Sequence, residues 1–366
     1  MKFTVEKKEI AEALSLVASV AEKRQSIPVL SNILLKAEKD GLTLIATDLE
    51  IELTFKISKI VLDKEGETTA SARKLADLVR SVPEDTVLTF ELLENQLEIS
   101  ALKFQADFST LPVGDFPVTE ISEFERDVAL PGRELAELIE KTSFAMASQD
   151  VRYYLNGILL EVSPSQINVV ATDGHRLAWA SCKIKTDFTD EKIIIPRKSA
   201  IELQKLLNLF PDNVNIAFNS NQLRVFSDEF TFISKLIEGS YPDYEKVFPQ
   251  GTEQKLKANK SSVQTALNRA AVLSNEKYRG VKFILNKDNL KICANNPSKE
   301  SAEEEVSVDY AGESFEIGFN ISYVQESLSV ISNSEVEFVF FGSENSCLVK
   351  NIDDESLIHV IMPMRL

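Results

Sequence analysis

Cysteine and histidine are scarce in this sequence of 366 residues. The cysteines, Cys182, Cys293 and Cys347, lie far apart and include no CxxC pair, which disfavours a disulfide framework or a thiolate zinc site. His175 and His359 are the only histidines, so a histidine-rich metal centre is excluded. We therefore expect neither a metal ion nor a cofactor.

Long apolar runs are also missing from the sequence. No segment approaches the roughly 18 consecutive apolar residues that span a membrane, and the opening MKFTVEKKEI lacks the charged and then apolar pattern of a signal peptide. We therefore expect a cytoplasmic protein without a membrane partner. With 44% hydrophobic and 27% charged residues the composition is that of a folded protein, and the length is typical of two or three domains.

Common catalytic motifs are absent as well. The sequence contains no GxxxxGK[ST] or GxGxxG phosphate loop and no HExxH or GxSxG motif, so nucleotide hydrolysis, zinc hydrolysis and serine acyl transfer have no motif support. One constellation remains, in which Asp173 would orient His175 as a general base beside Arg176. The other interpretation places Asp173 in a turn and gives His175 and Arg176 to a binding site.

A repeat runs through the whole chain. The segment 41–55 resembles the segment 165–180, and their ATD triplets begin at Ala46 and Ala171, 125 residues apart. A third, weaker copy is NLKICAN, residues 289–295. Helical patterns precede the copies at 5–22, 130–147 and 258–275, and others follow them at 71–80, 196–209 and 319–331. We therefore expect three similar domains, at residues 1–125, 126–250 and 251–366.

The periodicity within each repeat predicts an α+β fold. Apolar residues recur at helical spacing, as at Leu203, Leu206 and Leu207, which gives each helix one buried face. In the segment 49–57 the odd-numbered apolar residues alternate with polar ones such as Glu52. That alternation is typical of antiparallel sheets with one solvated side, so we expect two helices per repeat on antiparallel sheet.

The distribution of charge does not exclude a nucleic-acid partner. Lys plus Arg is 40 and Asp plus Glu is 57, a net charge of −17, which argues against nucleic acid only if the charge is evenly spread. Arg73 and Arg197 both stand at the start of a second helix, so the repeat places them on one equivalent face. The segment 149–154, QDVRYY, and the methionine-bearing end, IMPMRL from Ile361, are further binding signals.

In combination these motifs resemble one family over the whole chain. ATDGHRLA, QDVRYYLNG, LSNEKYRGV, IGFNISYV and VIMPMRL resemble the bacterial DNA polymerase III beta subunits, the sliding clamps. The resemblance implies a non-enzymatic processivity factor in which two chains of three domains close head to tail into a ring around duplex DNA. Helices line the hole, sheets form the rim, and partners bind through short peptide motifs. The implied partners are the replicative polymerase alpha subunit, the clamp loader, other polymerases and repair proteins.

The resemblance also implies site residues. The pocket for partner motifs corresponds to Leu155, Thr172, Gly174, His175, Arg176, Leu177, Pro242, Val247, Asn320, Tyr323, Ser346, Val360, Met362, Pro363, Met364 and Arg365. The DNA contacts correspond to Arg24, Arg73, Gln149, Tyr153, Tyr154, Arg197, Lys198 and Arg279. The dimer interface corresponds to Lys74, Lys103, Phe108, Val272 and Leu273, with Glu300, Glu303 and Glu304 facing its basic side.

Four positions depart from the pattern of the family. Lys246 stands where an Arg is often seen, and Tyr278 and Ile361 stand in place of chemically similar residues. The sequence therefore does not determine which partner motif is preferred. Ala106 replaces a bulkier apolar residue, so the dimer affinity stays open. The alternatives to a clamp are a hydrolase using Asp173 and His175, or a repeat scaffold that binds peptides only.

Overall fold

The structure is a computed structural model that describes residues 1–21, 27–119, 123–124, 126–186, 189–352 and 354–365. Every strand pair within these residues is antiparallel. Two helices occur in each third of the chain, so the predicted α+β class is confirmed. The predicted DNA contact Arg24 lies outside the described residues.

The elements follow in chain order. The first third holds β1 (Lys2–Glu6), α1 (Lys7–Val20), β2 (Asn32–Glu38), β3 (Gly41–Thr47), β4 (Ile51–Ile57), β5 (Val61–Lys64), β6 (Gly66–Ser71), α2 (Ala72–Ser81), β7 (Val87–Leu93), β8 (Gln96–Ala101) and β9 (Phe104–Ser109). The middle third holds β10 (Val128–Pro131), α3 (Gly132–Ser143), β11 (Gly157–Val162), β12 (Gln166–Thr172), β13 (Arg176–Lys183), β14 (Glu191–Pro196), α4 (Arg197–Leu209), β15 (Asn213–Phe218), β16 (Gln222–Phe226) and β17 (Phe230–Lys235). The last third holds β18 (Gln254–Asn259), α5 (Lys260–Val272), β19 (Gly280–Asn286), β20 (Asn289–Asn295), β21 (Ser301–Ser307), β22 (Asp309–Tyr310), β23 (Phe315–Asn320), α6 (Ile321–Ser329), β24 (Glu335–Phe340), β25 (Cys347–Asn351) and β26 (Leu357–Ile361).

The helices are shorter at their N-termini than the helical patterns predicted. Val5 belongs to β1, where it pairs with Leu88, and Leu130 belongs to β10, where it pairs with Val214. In both cases a strand runs directly into a helix, and apolar periodicity alone does not separate the two. In the last third the start of α5 is marked by a side-chain cap. The Asn259 side chain accepts the Ser262 N–H at 3.0 Å.

The alternation predicted for residues 49–57 fails at two positions. Leu49 lies in the turn before β4 with φ +76° and is exposed. Glu52 is buried, and its Oε2 accepts the Thr119 N–H at 2.7 Å, while burial raises the pKa of this carboxyl. Thr119, in the linker between the first and middle thirds, therefore lies over the face that the sequence pattern assigned to solvent.

One compact unit comprises Met1–Ala136 and Ile201–Leu236. It contains a sheet in the order β5-β1-β7-β8-β9 and another in the order β10-β15-β16-β17-β4-β3-β2-β6. The larger sheet combines strands of the first and middle thirds through β17 and β4, with Thr231 opposite Thr54. Phe3 and Phe90 stack inside the unit with ring centroids 4.8 Å apart.

The other compact unit comprises Glu137–Ala200 and Ile237–Leu366. Its sheets have the orders β14-β11-β12-β13-β26-β25-β24-β18-β22 and β21-β20-β19-β23. Strands of the middle and last thirds meet at β13 and β26, with Leu177 opposite Val360. Phe283 packs edge-on against Phe319 and Phe338 in the core. Within the described ranges, no helix has the length and apolar character needed to cross a membrane.

Candidate functional site

The end of the chain forms hydrogen bonds with two sheets of the second unit. We call Met362–Arg365 the C-terminal tail. The Met362 N–H donates to the His175 carbonyl oxygen at 3.0 Å, next to the β13–β26 pair, and the Met364 N–H donates to the Gly318 carbonyl oxygen of β23 at 2.9 Å. The side chains of Met362, Pro363 and Met364 are half-buried and that of Arg365 is exposed. The tail therefore contacts His175 of the middle third and Gly318 of the last third.

An apolar cluster that includes Val360 lies next to the tail, and it would form the floor of the predicted pocket. Its buried members, the junction cluster, are Leu159, Val170, Leu177, Ile194, Tyr244 and Val360. Half-buried side chains pack against it, namely Tyr154, Trp179, Ile237, Tyr241, Val247, Phe248 and Leu348. Apolar surface that stays partly open next to a few polar groups is the usual character of a ligand site.

The turn before β13 is fixed by hydrogen bonds to its own side chains. The Asp173 Oδ1 accepts the backbone N–H groups of His175 and Arg176 at 2.9 and 3.1 Å, and the Thr172 hydroxyl donates to the Arg176 carbonyl oxygen at 2.5 Å. Gly174 has φ +88°, and a Cβ there would lie 3.2 Å from the guanidinium nitrogens of Arg152. The close approach of Arg152 and the positive φ both favour glycine at this position.

Asp173 and His175 do not form a catalytic pair. The Asp173 carboxylate is occupied by the turn and by Arg176, whose Nε donates to Oδ2 at 3.1 Å. The His175 side chain is exposed, and no hydrogen bond in the described part of the chain joins its ring to Asp173. The interpretation of Asp173 as a turn residue is confirmed by these bonds, and the hydrolase alternative has no geometric support.

Arg176 is buried, and its guanidinium contacts several segments of the second unit. Its guanidinium contacts the Glu326 carboxylate, donates to the Phe144 carbonyl oxygen at 2.6 Å and lies 4.4 Å from the centroid of the Tyr323 ring. With Asp173 on its other side the cation is already compensated. Arg176 therefore holds Tyr323 in place and does not offer a free positive charge to a ligand.

The remaining predicted pocket residues differ in burial and in local contacts. Leu155 and Thr172 are buried, and Ser346 is half-buried in the loop between β24 and β25. The Asn320 side chain accepts the Ser322 N–H at 2.9 Å and caps α6. Pro242 is exposed, and Val247 ends a short 3₁₀ turn that begins at Tyr244. Tyr244 was not predicted from the sequence, although its place between Pro242 and Val247 was a signal.

The side chains of the predicted DNA contacts differ in exposure and in their contacts within the chain. Arg73 is exposed on α2, 3.7 Å from Asp77, and Tyr153 is 75% exposed. The Arg197 guanidinium donates to the Met146 carbonyl oxygen at 3.1 Å, and Tyr154 packs against the junction cluster. Arg73 and Tyr153 are thus the more available of these side chains.

The predicted equivalence of Arg73 and Arg197 is wrong by one residue. Strands β6 and β14 end at Ser71 and Pro196, so Ala72 matches Arg197 and Arg73 matches Lys198. One residue turns a side chain by about 100° around a helix. Arg73 and Lys198 therefore occupy the equivalent face.

Gln149 and Arg279, the other predicted DNA contacts, have left-handed backbone conformations. Their φ angles are +58° and +51°, and the Arg279 carbonyl accepts the Ile321 N–H at 2.7 Å. Next to Gln149, the Arg152 side chain donates to both oxygens of Asp150 at 3.0 and 2.9 Å. These bonds lower the pKa of Asp150 to about 2. Arg152 lies within the QDVRYY segment but was not among the predicted contacts, and its guanidinium also lies close to Gly174.

The predicted interface residues lie on sheet edges and on one helix end. Strand β9 is an edge strand, and its residue Phe108 is half-buried, while Lys103 precedes it and is exposed. Val272 ends α5 and is 77% exposed, and Leu273 is half-buried. Lys74 is exposed on α2 and Glu300 is exposed before β21, the edge of another sheet.

The acidic interface residues have partners within the chain. Glu303 binds Lys291 at 2.6 Å, and both oxygens of Glu304 accept from Arg269 at 2.6 Å. The Arg269 bonds lower the pKa of Glu304. No group of three or more acidic, Cys or His side chains with metal-binding geometry occurs within the described residues.

Comparison with known proteins gives one consistent family. The family described as DNA polymerase III beta subunit matches with its N-terminal domain at residues 1–120, its central domain at 129–243 and its C-terminal domain at 245–365. The beta sliding clamp of Pseudomonas aeruginosa is 44% identical over 370 residues, and that of Escherichia coli K12 is 38% identical over 366 residues. Both alignments cover 100% of both chains.

Solved structures agree with the sequence relatives. The DNA polymerase III subunit beta of P. aeruginosa superposes with a TM-score of 0.94 at 43% identity, and the sliding clamp of Bartonella birtlesii bound to griselimycin superposes with 0.94 at 33%. Each covers 100% of both chains. The chain therefore belongs to the DNA polymerase III beta subunit family, the sliding clamps, which are non-catalytic processivity factors of that polymerase.

Proposed function

We propose that two copies of this chain close head to tail into a cytoplasmic ring around duplex DNA, and that the junction cluster and C-terminal tail of each copy bind short motifs of partner proteins. The partners are the replicative polymerase, the clamp loader, other polymerases and repair proteins. The observation that supports the proposal is the tail, which bonds to His175 of the middle third and to Gly318 of the last third and lies next to the junction cluster.

The edge strands support the head-to-tail assembly. On β9, Phe104, Ala106 and Phe108 lie opposite Ala101, Ile99 and Leu97 and so share the core face of their sheet, yet Phe104 is 45% exposed. Edge strands with open apolar side chains are templates for pairing with another chain. Pairing β9 of one copy with β21 of the other would cover this face.

Charge complementarity favours the same pair of edges. Lys103 is exposed directly before β9 and Lys74 is exposed on α2, whereas Glu300, Glu303 and Glu304 lie on or next to β21. Lys291 and Arg269 hold two of these carboxylates in place, so little side-chain freedom is given up when the interface forms. The exposed Val272 beside them would bury apolar area.

We propose domain boundaries at 125/126 and 250/251. The recurrence of helix, strands, helix and strands in each third supports them. The compact units have different limits because β17 pairs with β4 and β26 pairs with β13. Each of these pairs joins the last strand of one repeat to a strand of the preceding repeat.

The motif that suits the site is a short peptide with a Gln followed by Leu or Phe anchors. Apolar anchors would contact the junction cluster, and the flexible Met362 and Met364 side chains would adapt to several sequences. Lys246, exposed and paired with Asp243 at 2.9 Å, lies beside Val247, where it would influence the choice among motifs.

Replacing Met362 and Met364 together by Ala tests the site. This variant keeps the backbone N–H groups that bond His175 and Gly318, whereas deletion of the tail would remove them. We expect a labelled peptide with a Gln followed by Leu and Phe to bind at least tenfold more weakly, as measured by fluorescence polarisation. Sedimentation of the same variant should match that of the unmodified dimer. Unchanged peptide affinity would show that the motif binds elsewhere.

A further inference from the structure

A buried hydrogen bond holds the segment that forms one wall of the candidate pocket. The segment 241–248 carries Pro242 and Val247. Within it, Tyr244 is 7% exposed, and its hydroxyl donates to the Glu161 Oε2 at 2.6 Å. The ring itself belongs to the junction cluster, so Tyr244 contributes to the floor of the site and to the attachment of its wall.

The acceptor is held from several sides. Glu161 lies on β11 opposite Lys192 of β14, and the Lys192 Nζ is 2.5 Å from Glu161 Oε1. The Asn168 side chain on β12 donates to Oε2 at 3.2 Å. Burial and the neighbouring Glu161 carboxylate both raise the pKa of Tyr244, so the phenol remains a donor throughout the neutral range. A charged acceptor makes this one of the stronger kinds of hydrogen bond.

The described residues of the first third contain no counterpart of this bond, although the strands have the same framework. Its equivalent pair is Lys36 opposite Glu67, with the charges exchanged and 3.3 Å between the charged atoms. The linker there packs Phe116 onto an apolar cluster that includes Leu34 and Ile45. In the described part of that linker no side chain bonds to Lys36 or Glu67. The tyrosine bond is thus an addition at the junction that also receives the C-terminal tail.

We propose that Tyr244 is a positioning residue for motif binding, which through its bond to Glu161 holds Pro242 and Val247 beside the junction cluster. The proposal rests on the proposed function, because it assumes that this site takes a short peptide. Its specific claim is that the wall of the site is set before the peptide arrives. Pre-organisation of this kind raises affinity by lowering the ordering cost of binding.

The test uses the full-length dimer and the labelled peptide with a Gln followed by Leu and Phe. Tyr244→Phe keeps the ring and removes the donor, and we expect about tenfold weaker binding. Glu161→Gln keeps an oxygen acceptor but removes its charge, so the affinity should fall less in this variant than in Tyr244→Phe. Glu67→Gln is the matched control in the first third and should leave the affinity unchanged.

A measurement without peptide separates positioning from a general loss of structure. Hydrogen exchange of the 241–248 amides should speed up in Tyr244→Phe and to a smaller extent in Glu161→Gln, with exchange elsewhere unchanged. Trp179, the only tryptophan, packs against the junction cluster, and its emission should shift in the same variant.

The outcomes distinguish the two proposals. Unchanged peptide affinity in Tyr244→Phe, or exchange that stays slow in the segment, overturns the positioning role while the proposed function stands. An unmodified protein that binds no peptide overturns the proposed function and this role with it.

Discussion

At the scale of single residues, His359 is the clearest case of a group whose ionisation is set by the fold. It is fully buried on β26, its Nε2 lies 3.2 Å from the Lys141 carbonyl oxygen, and its ring packs edge-on against Phe144. Burial, with the nearby Arg176 charge, lowers the pKa of His359 from 6.5 to about 4. The imidazole is therefore neutral in the folded protein at pH 7.

We predict that His359 makes the second unit less stable as the pH falls from about 6.5 to about 4. In this window the unfolded chain binds a proton that the folded chain does not, so the stabilisation present above pH 6.5 disappears. The loss at pH 5 should be about 2 kcal/mol relative to pH 7.5. His359→Gln keeps a side-chain N–H and does not titrate. Denaturant unfolding followed by Trp179 emission at both pH values measures the difference between the two proteins.

Other titrating groups act equally in the unmodified protein and in the variant. The difference between the two therefore isolates His359. If both proteins lose the same stability between pH 7.5 and pH 5, the imidazole does not titrate as burial requires.

At the scale of elements, the end of α5 should carry much of the proposed dimer contact. Val272 and Leu273 expose apolar area there, so replacing both by Ala should loosen the dimer, with each buried side chain contributing about 1–3 kcal/mol. Sedimentation across a range of concentrations, down to nanomolar, measures the dissociation.

Val61→Ala is the matched control for this double variant. Val61 is exposed on β5, at the opposite edge of the sheet from β9. The Val61→Ala variant should leave the dimer intact. A double variant that sediments like the unmodified protein at every concentration would place the interface elsewhere.

Helices α2 and α4, the second helices of the first and middle thirds, should contact DNA. Reversing Arg73 and Lys198 to Glu should weaken DNA binding, because each side chain would no longer neutralise a phosphate. The slope of log affinity against log salt should become shallower by about 0.9 for each phosphate that is no longer neutralised. Peptide binding should persist. The affinity for duplex DNA is measured at several salt concentrations.

Lys56→Glu with Lys235→Glu provides the control, because it makes the same charge change on strands β4 and β17. Its salt slope should match that of the unmodified protein. Equal slopes for the helix variant and the control variant would mean that α2 and α4 do not face DNA.

The sequence predicted the elements better than their edges or their contacts. Repetition and periodicity located all six helices and the equivalent strands β3, β12 and β20 within the described residues. Periodicity did not separate β10 from α3, because Leu130 fits both patterns, and it did not foresee that Glu52 is covered by a linker.

The resemblance supplied the residues of the candidate site but not the placement of their side chains. His175 and Arg176 are neighbours in sequence, yet one side chain is exposed and the other is compensated by Glu326 from a distant helix. The Tyr244–Glu161 bond spans 83 residues. No local pattern in a sequence reports such a contact.

At the scale of the whole molecule, the net charge of −17 is difficult to reconcile with tight attraction to DNA. A closed ring resolves this, because a chain topologically linked to DNA leaves it only by opening an interface or by sliding off an end. Loose contacts then permit sliding. A partner held at the junction cluster meets the template at high effective concentration, which is how a protein without catalytic groups would make a polymerase processive.

Retention on DNA of different topology tests the central claim most directly. The protein is loaded by a clamp loader onto nicked circular DNA, separated from free protein by gel filtration, and half of the sample is then cut once to linear form. The ring account predicts that the protein stays with circular DNA at moderate salt and leaves linear DNA within minutes. Equal retention on both forms, or loss from both, would contradict it.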